Sequence, residues 1–293
     1  MRIPAVQSRT VLITGCSSGI GGATALLLRD AGWRVFPTAR KPEDLEALRT
    51  QGFDPIALDV AEAASVERAA GELLGRTNGV LGALVNNAGF CQAGAVEDVS
   101  RDALRAQFET NLFGLHQLTR ALLPTFRRQG FGRIVNVGSV LGRVVAPMLG
   151  SYCASKFALE ALTDALRIEL WNSGTWVALV EPGAILSRFR KNAAEALDRT
   201  IDRSRSGYGD VYAREIERRR RQTKKADWFT RPPEDVARKI RHALEAPRPK
   251  RRYGVTLAAP LTELVARFVP QAWTDPLLAR RVPERQPRAE NAT

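Results

Sequence analysis

The sequence predicts a doubly wound α/β fold, a mostly parallel sheet of about seven strands with helices on both faces. Two observations predict it. Over the first 190 residues short apolar, β-rich runs alternate with segments of helical periodicity, and such alternation calls for a parallel sheet covered on both sides. A glycine-rich turn, TGCSSGIG (14–21), also joins the first apolar run to the first helical segment.

The elements follow in order. TVLIT (10–14) is the first strand, and the helix after the turn runs through Ala31 to a stop at Gly32, a residue suited to left-handed helix ends. RVFPTA (34–39), PIALDV (55–60), ALVNN (83–87), RIVNVGS (133–139) and WVALVEP (176–182) are further strands. RDALRAQFETNLFGLHQLTRALLPTF (101–126) carries helical spacing throughout. Beyond Gly183 the pattern changes: 190–222 reads as charged helix broken near SGYGD (206–210), and 231–245 as a helix entered through Pro-Pro. RRYGVTLA (251–258) then reads as a last strand and LTELVARFV (261–269) as a short amphipathic helix. No internal repeat appears, so 1–282 reads as one domain whose extension covers about 188–282, followed by a polar, mobile tail, 283–293.

A chain of 293 residues, 44% hydrophobic and 26% charged, is ordinary for a globular protein with a large core. No apolar run approaches the roughly 18 residues of a membrane span. The opening MRIPAVQSRTVLITG lacks a secretory leader's apolar segment, so a cytoplasmic location is expected. Cys16, Cys91 and Cys153 are widely spaced with no CxxC pattern, which suits reduced thiols. His116 and His242 are the only histidines; no metal cluster is expected, and His116 reads as a packed helix residue. Net charge is +13, and 188–252 alone holds 21 Lys/Arg against 10 Asp/Glu. That segment is either a set of solvated helix faces or a surface for an anionic partner.

The glycine turn is a place where backbone can approach phosphates, with a helix N-terminus behind it. Its spacing is G-x-x-x-G-x-G rather than G-x-G-x-x-G. Further on, Tyr152 and Lys156 stand four apart in SYCASKFALEAL and share a helix face. A phenol is a reluctant phenolate at neutral pH, and a neighbouring ammonium favours the charged form.

TGCSSGIG, NNAG (86–89), Asn111 in TNLFG, Ser139, YCASK (152–156) and PG (182–183) stand in the order of the short-chain dehydrogenase/reductase family, which the chain resembles over about 9–190. Its ending is similar to that of the hydroxysteroid, retinol and acyl-dihydroxyacetone-phosphate dehydrogenases. The resemblance implies a Rossmann-type fold and a catalytic set. Tyr152 would be general acid/base, Lys156 would lower its pKa and bind a ribose hydroxyl, and Ser139 would position the substrate oxygen. Asn111 would hold a water linking Lys156 to solvent. The cofactor would lie on Gly15, Cys16, Ser17, Ser18, Gly19, Ile20 and Gly21, with Asp59 and Val60 at the adenine, Asn87 at the ribose region and Ile185 at the nicotinamide amide; Tyr152 and Lys156 would touch it too. The second strand ends in Ala39, Arg40 and Lys41 with no acid, so NADP(H) is favoured over NAD(H), although Ser18 occupies a position that is often basic in NADP-using members.

The expected activity is therefore NADP(H)-dependent interconversion of a hydrophobic alcohol and its ketone or aldehyde. Ile185, Leu186, Phe189, Tyr208, Tyr212, Trp228 and Phe229 would frame the substrate. A homodimer or homotetramer is expected, with 261–269 a candidate for peripheral membrane contact. The other reading is a non-catalytic NADP sensor, or a nucleic-acid or membrane-surface binder acting through EIERRRRQTKKAD (215–227). Intact Asn111, Ser139, Tyr152 and Lys156 favour the enzyme, and no nucleic-acid motif accompanies the basic run. Cys153 should pack, whereas modification of Cys16 inside the glycine loop should block cofactor.

Overall fold

A computed structural model describes residues 4–221, 230–256 and 258–280. The tail 283–293, Trp228, Phe229 and the end of the basic run 215–227 lie outside the described residues. The strands are β1 (Thr10–Ile13), β2 (Arg34–Ala39), β3 (Ile56–Ala57), β4 (Ala83–Asn86), β5 (Gly132–Val137), β6 (Thr175–Glu181), β7 (Ala184–Ile185), β8 (Thr230–Arg231) and β9 (Arg252–Gly254). The helices are α1 (Gly19–Asp30), α2 (Pro42–Thr50), α3 (Ala63–Arg76), α4 (Arg101–Phe108), α5 (Gly114–Gln129), α6 (Gly150–Glu169), α7 (Phe189–Thr200), α8 (Gly209–Arg221), α9 (Pro233–Glu245), α10 (Ala258–Phe268) and α11 (Gln271–Ala279).

Alternation along the strands builds two core layers. Val11 and Ile13 join Val35, Val85, Val135 and Val180 beneath α1, α2 and α9. Leu12 faces the other way, with Phe36, Leu84, Ile134 and Val177 against α3 and α5. Full burial of each such side chain contributes roughly 1.5–3 kcal/mol. Seven strands pair in parallel in the order β3-β2-β1-β4-β5-β6-β9. The order reverses between β1 and β4, and a ligand crevice opens above the strand ends at such a point. The short pair β7–β8 lies apart from the main sheet.

Three elements differ from the pattern read in the sequence. PIALDV is strand only over Ile56–Ala57, because Asp59 accepts from the Ala61 N–H at 3.0 Å and turns the chain early. The helical run 101–126 contains a π-helical turn, Glu109–Phe113, between α4 and α5. One extra residue in that turn faces Asn111 inward and leaves Phe113 half exposed. Just after it, a Cβ on Gly114 would lie 1.7 Å from the Val60 carbonyl oxygen, so only glycine lets α5 approach the chain that follows β3. Third, α10 touches the body through Ala259 beside Gly254 and Glu263 on Arg143, yet neither α10 nor α11 has a buried residue, and Leu261, Leu264, Phe268, Trp273 and Leu277 are exposed. His116 is likewise exposed on α5 rather than packed. Some arginines of the basic segment are paired in place, Arg203 with Asp198, Arg241 with Glu245, and Arg231 and Arg238 with Asp235. No helix among the described residues is long and apolar enough to cross a membrane.

Candidate active site

The glycine turn sits at the β1–β4 crevice. Gly15 (φ +71°) and Gly19 (φ +60°) adopt left-handed backbone, which costs a residue with a Cβ about 1–2 kcal/mol. A Cβ on Gly21 would stand 2.2 Å from the Gly15 carbonyl oxygen and 2.7 Å from Asn87 Nδ2, so helix and turn meet without side chains between them. Asn87 donates to the carbonyls of Thr14 and Gly15 at 2.8 and 3.0 Å. Thr14, which sequence reading passed over, accepts the Asn87 and Ala88 N–H groups at 2.9 Å each. Asn87 thus holds the loop. Ser18 precedes α1 without a side-chain capping bond, which leaves first-turn N–H groups for an anion.

Two further residues reach this loop from the segment after β7. Arg188 donates to the Ser17 carbonyl at 2.9 Å, and Ser187 lies against Gly19, 3.2 Å from a Cβ built there. Ile20 packs on the core below. Cys16 overturns its expected role: the side chain is buried, its thiol donates to the Ile13 carbonyl at 3.2 Å, and burial pushes its pKa up to about 12. A buried protonated thiol is a poor target for modification, and only the backbone of Cys16 is placed to meet a ligand.

Arg40 is exposed at the end of β2, with Nη1 3.9 Å from Asp59 Oδ2, and Val60 follows beside them. An exposed pair at that distance holds the guanidinium weakly. Ile185 is buried on β7 with the core residues rather than in the substrate cluster. A cradle of side-chain-free backbone, uncapped helix N–H groups and Arg40 and Arg188 nearby suits a dinucleotide with its phosphates.

Beyond the end of β5, Ser139 begins a 3-10 turn (Val140–Gly142), its Oγ accepting from the Leu141 N–H at 3.1 Å. On the first turns of α6, Tyr152 and Lys156 project toward it. The Ser139 hydroxyl lies near enough to the Tyr152 phenol to favour its ionised form. The Tyr152 ring packs edge-on against Phe189, centroids 5.6 Å apart. Burial raises the Tyr152 pKa above its ordinary value, and Ser139 is the group that opposes the rise. In the folded chain burial therefore outweighs every group that acts to lower this pKa. Lys156 Nζ lies 5.8 Å from the ring centroid and gives a 2.8 Å bond to the Val137 carbonyl. Burial brings Lys156 itself down to about 8, while the Glu160 carboxylate one turn along acts to raise it.

Asn111 stands one layer behind. Its amide accepts from the Phe90 N–H at 3.0 Å and donates to the Phe90 carbonyl and Ser155 Oγ at 3.1 Å each. Ser155, also passed over, donates to the Tyr152 carbonyl at 2.8 Å and so connects the two. These bonds commit the Asn111 side chain to holding Phe90 and α6 in place.

In front of Tyr152 an apolar cluster includes Phe189, Leu197, Tyr208 and Tyr212, with Met148 and Leu141 at its edge. It borders a cleft of about 410 Å³ lined by Ala95, Val96, Glu97, Pro147, Met148 and Tyr208. Met148 holds φ +65°, a left-handed conformation that a large side chain seldom adopts away from functional sites. Among the described residues no group of His, Cys, Asp and Glu is arranged to hold a metal.

Known proteins match this chain closely. It is 40% identical over 274 residues to the uncharacterised oxidoreductase YbbO of Escherichia coli (strain K12), covering 93% of this chain and 95% of that protein. It is 34% identical over 285 residues to human retinol dehydrogenase 16, covering 93% and 88%. A crystal structure of a short-chain dehydrogenase from Streptomyces avermitilis superposes with TM-score 0.73 at 31% identity over 94% of each chain. At 24% identity, which speaks to the fold alone, a Burkholderia cenocepacia short chain dehydrogenase in complex with NADP gives 0.71 over 96% and 100%. A short chain dehydrogenase family model matches residues 9–198, taking in the glycine loop, Ser139 and the Tyr152–Lys156 helix; the chain belongs to the short-chain dehydrogenase/reductase family and is an oxidoreductase.

Proposed function

We propose that this oxidoreductase reduces apolar ketones or aldehydes at the expense of NADPH, and oxidises the corresponding alcohols in reverse. One observation carries the reading: the Tyr152 phenol, with Ser139 beside it, belongs to the apolar cluster that borders the cleft and has the buried ammonium of Lys156 5.8 Å from its ring. A bound nicotinamide supplies the hydride. Tyr152 and Ser139 would both point their hydroxyls at the substrate oxygen, and Tyr152 would transfer its proton as negative charge develops there. With its pKa raised, Tyr152 is protonated at neutral pH, which suits it to the acid role and hence to reduction. Lys156 would stabilise the phenolate left behind and offer its remaining N–H groups to a ribose hydroxyl. A water held at Asn111 would link Lys156 to solvent for reprotonation. Initial rates of NADPH oxidation against a panel of apolar aldehydes and ketones test the reading; absence of turnover across the panel would sink it.

Preference for NADP(H) rests on Arg40 and the missing acid at the end of β2. Arg188, bonded to Ser17, adds positive charge near the phosphates. Replacing Arg40 by Asp should raise the KM for NADPH at least about tenfold, on the order expected for loss of one charge-assisted hydrogen bond. The KM for NADH should fall, and equal effects on both cofactors would contradict the assignment.

Two surface features support the partners proposed for the chain. Phe113, Phe157, Ile168 and Trp171 are exposed on and around α5 and α6, a face suited to self-association. The uncovered apolar side of α10 and α11 suits peripheral lipid contact. Pelleting with anionic vesicles at low salt should fall sharply in Phe268→Ser/Trp273→Ser, and a wild type that stays in the supernatant would dismiss the lipid contact.

A further inference from the structure

Between β4 and α4 the segment 90–98 has almost no regular structure, so its shape must come from outside it. One end is fixed from behind. Asn111 and Gln107 both bond the Phe90 carbonyl, and Gln107 Oε1 accepts the Gln92 N–H at 2.7 Å. The Gln92 amide continues to Thr200 on α7 at 2.8 Å. The other end is fixed across the cleft, by residues more than a hundred positions later. The Tyr212 hydroxyl accepts the Ala95 N–H at 2.8 Å and donates to Asp98 Oδ2 at 2.5 Å. Ser206 Oγ donates to the same carboxylate oxygen at 2.6 Å and accepts the Tyr208 N–H at 2.9 Å.

These bonds bracket the residues that line the cleft. Ala95 and Asp98 enclose Val96 and Glu97 on one strip of chain; Ser206 and Tyr212 enclose Tyr208 on the other. The opposite rim, Pro147–Met148, is tied to the same segment by the Gly94 N–H, which donates to the Met148 carbonyl at 2.9 Å. Tyr212 is fully buried, its ring within the apolar cluster of Tyr152 and its hydroxyl on Asp98. Removing the hydroxyl would orphan a buried N–H and take from the Asp98 carboxylate one of its two donors, a loss that backbone movement must absorb.

We infer that Tyr212 and Asp98 form a latch that sets the width of the substrate cleft, making them positioning residues for substrate recognition while Tyr152 performs the chemistry. The latch closes one wall of the cleft onto the other and holds Tyr208 and Val96 in register with the Tyr152 hydroxyl. In its kinetic consequences the inference rests on the carbonyl-reductase reading; in its structural consequences it does not. Burial, and then the Asp98 carboxylate, hold the Tyr212 pKa above its ordinary value, so the phenol remains a donor throughout the physiological range.

The test is Tyr212→Phe, Asp98→Asn and their combination in the full-length protein. Each single variant should raise the KM for an apolar aldehyde roughly tenfold, with kcat and the NADPH dissociation constant little changed. The double variant should cost no more than the worse single one, because both break one unit. Hydrogen exchange should speed up over 94–98 and 206–212 together and stay unchanged over 14–21. Additive effects, an unchanged KM, or exchange that rises in only one segment would overturn the latch. Should Tyr212→Phe fail to fold, Ser206→Ala removes the second donor to Asp98 and must move KM and exchange the same way. If the wild type turns over no carbonyl at all, the function is refuted, and the exchange result still decides the latch.

Discussion

Tyr152→Phe is expected to lower kcat/KM for apolar carbonyls roughly a hundred- to ten-thousand-fold, the range that a positioned general acid contributes. The substitution deletes one oxygen and keeps the ring, so the edge-on packing against Phe189 at 5.6 Å remains and the fold should hold. NADPH binding, read by fluorescence titration, should weaken far less than turnover, because the glycine loop and Arg40 are untouched. Ser139 stands beside the same oxygen, and Ser139→Ala should cost less, since Tyr152 can still deliver its proton to a less well placed substrate. Activity of Tyr152→Phe near the wild-type rate would remove Tyr152 from the mechanism.

Lys156→Met should produce opposite effects on function and stability. Turnover should fall at least about tenfold, because the phenolate formed at Tyr152 loses the cation beside it, and cofactor affinity should fall with it. Stability should rise at neutral pH. The folded chain holds Lys156 near 8, below its ordinary 10.5, because burial disfavours the ammonium. Between those two values the unfolded chain binds more protons than the folded one, so the wild type gains stability from this group as pH rises through the window. Below about 8 the folded protein bears the full cost of a buried charge. The Lys156→Met variant bears none, so its advantage in Tm should be greatest below pH 8 and shrink toward pH 10.5. A Tm difference that is flat across that window would contradict the burial cost assigned to Lys156. The bond from Nζ to the Val137 carbonyl offsets part of that cost in the wild type. Such a trade, stability given up for a charged side chain at a site of chemistry, is common in active sites.

Strand periodicity made the sheet legible from sequence, because a buried parallel strand such as VLI or ALV leaves little room for polar residues. The glycine loop was legible for a related reason: Gly15 and Gly21 are excluded from having side chains by backbone at close range. Tyr152 and Lys156 were legible only jointly with Ser139 and the loop. What stayed hidden was insertion and polarity. A π-helical turn at 109–113 adds one residue without disturbing the apolar pattern around it, yet it turns Asn111 inward. Thr14, Gln107 and Ser155 are small or neutral polar residues whose sequence context resembles many surface positions; only tertiary closure buries them against backbone groups. Cys16 looked reactive because it lies in the loop, but its side chain points under the loop into the core. The Tyr212–Asp98 bond joins positions 114 residues apart, a separation at which no local pattern exists to be read. Arg188 follows PGAILS in sequence, and its reach to Ser17 depends on how β7 turns back over the loop.

The most direct measurement of the central claim follows the hydride itself. NADPH carrying deuterium at both hydride positions of the nicotinamide ring, incubated with the protein and an apolar aldehyde, should yield an alcohol with one deuterium on its carbinol carbon by mass spectrometry. Tyr152→Phe, loaded with the same cofactor, should yield almost none. An unlabelled alcohol, or label transfer that survives loss of the Tyr152 hydroxyl at the wild-type rate, would contradict the account.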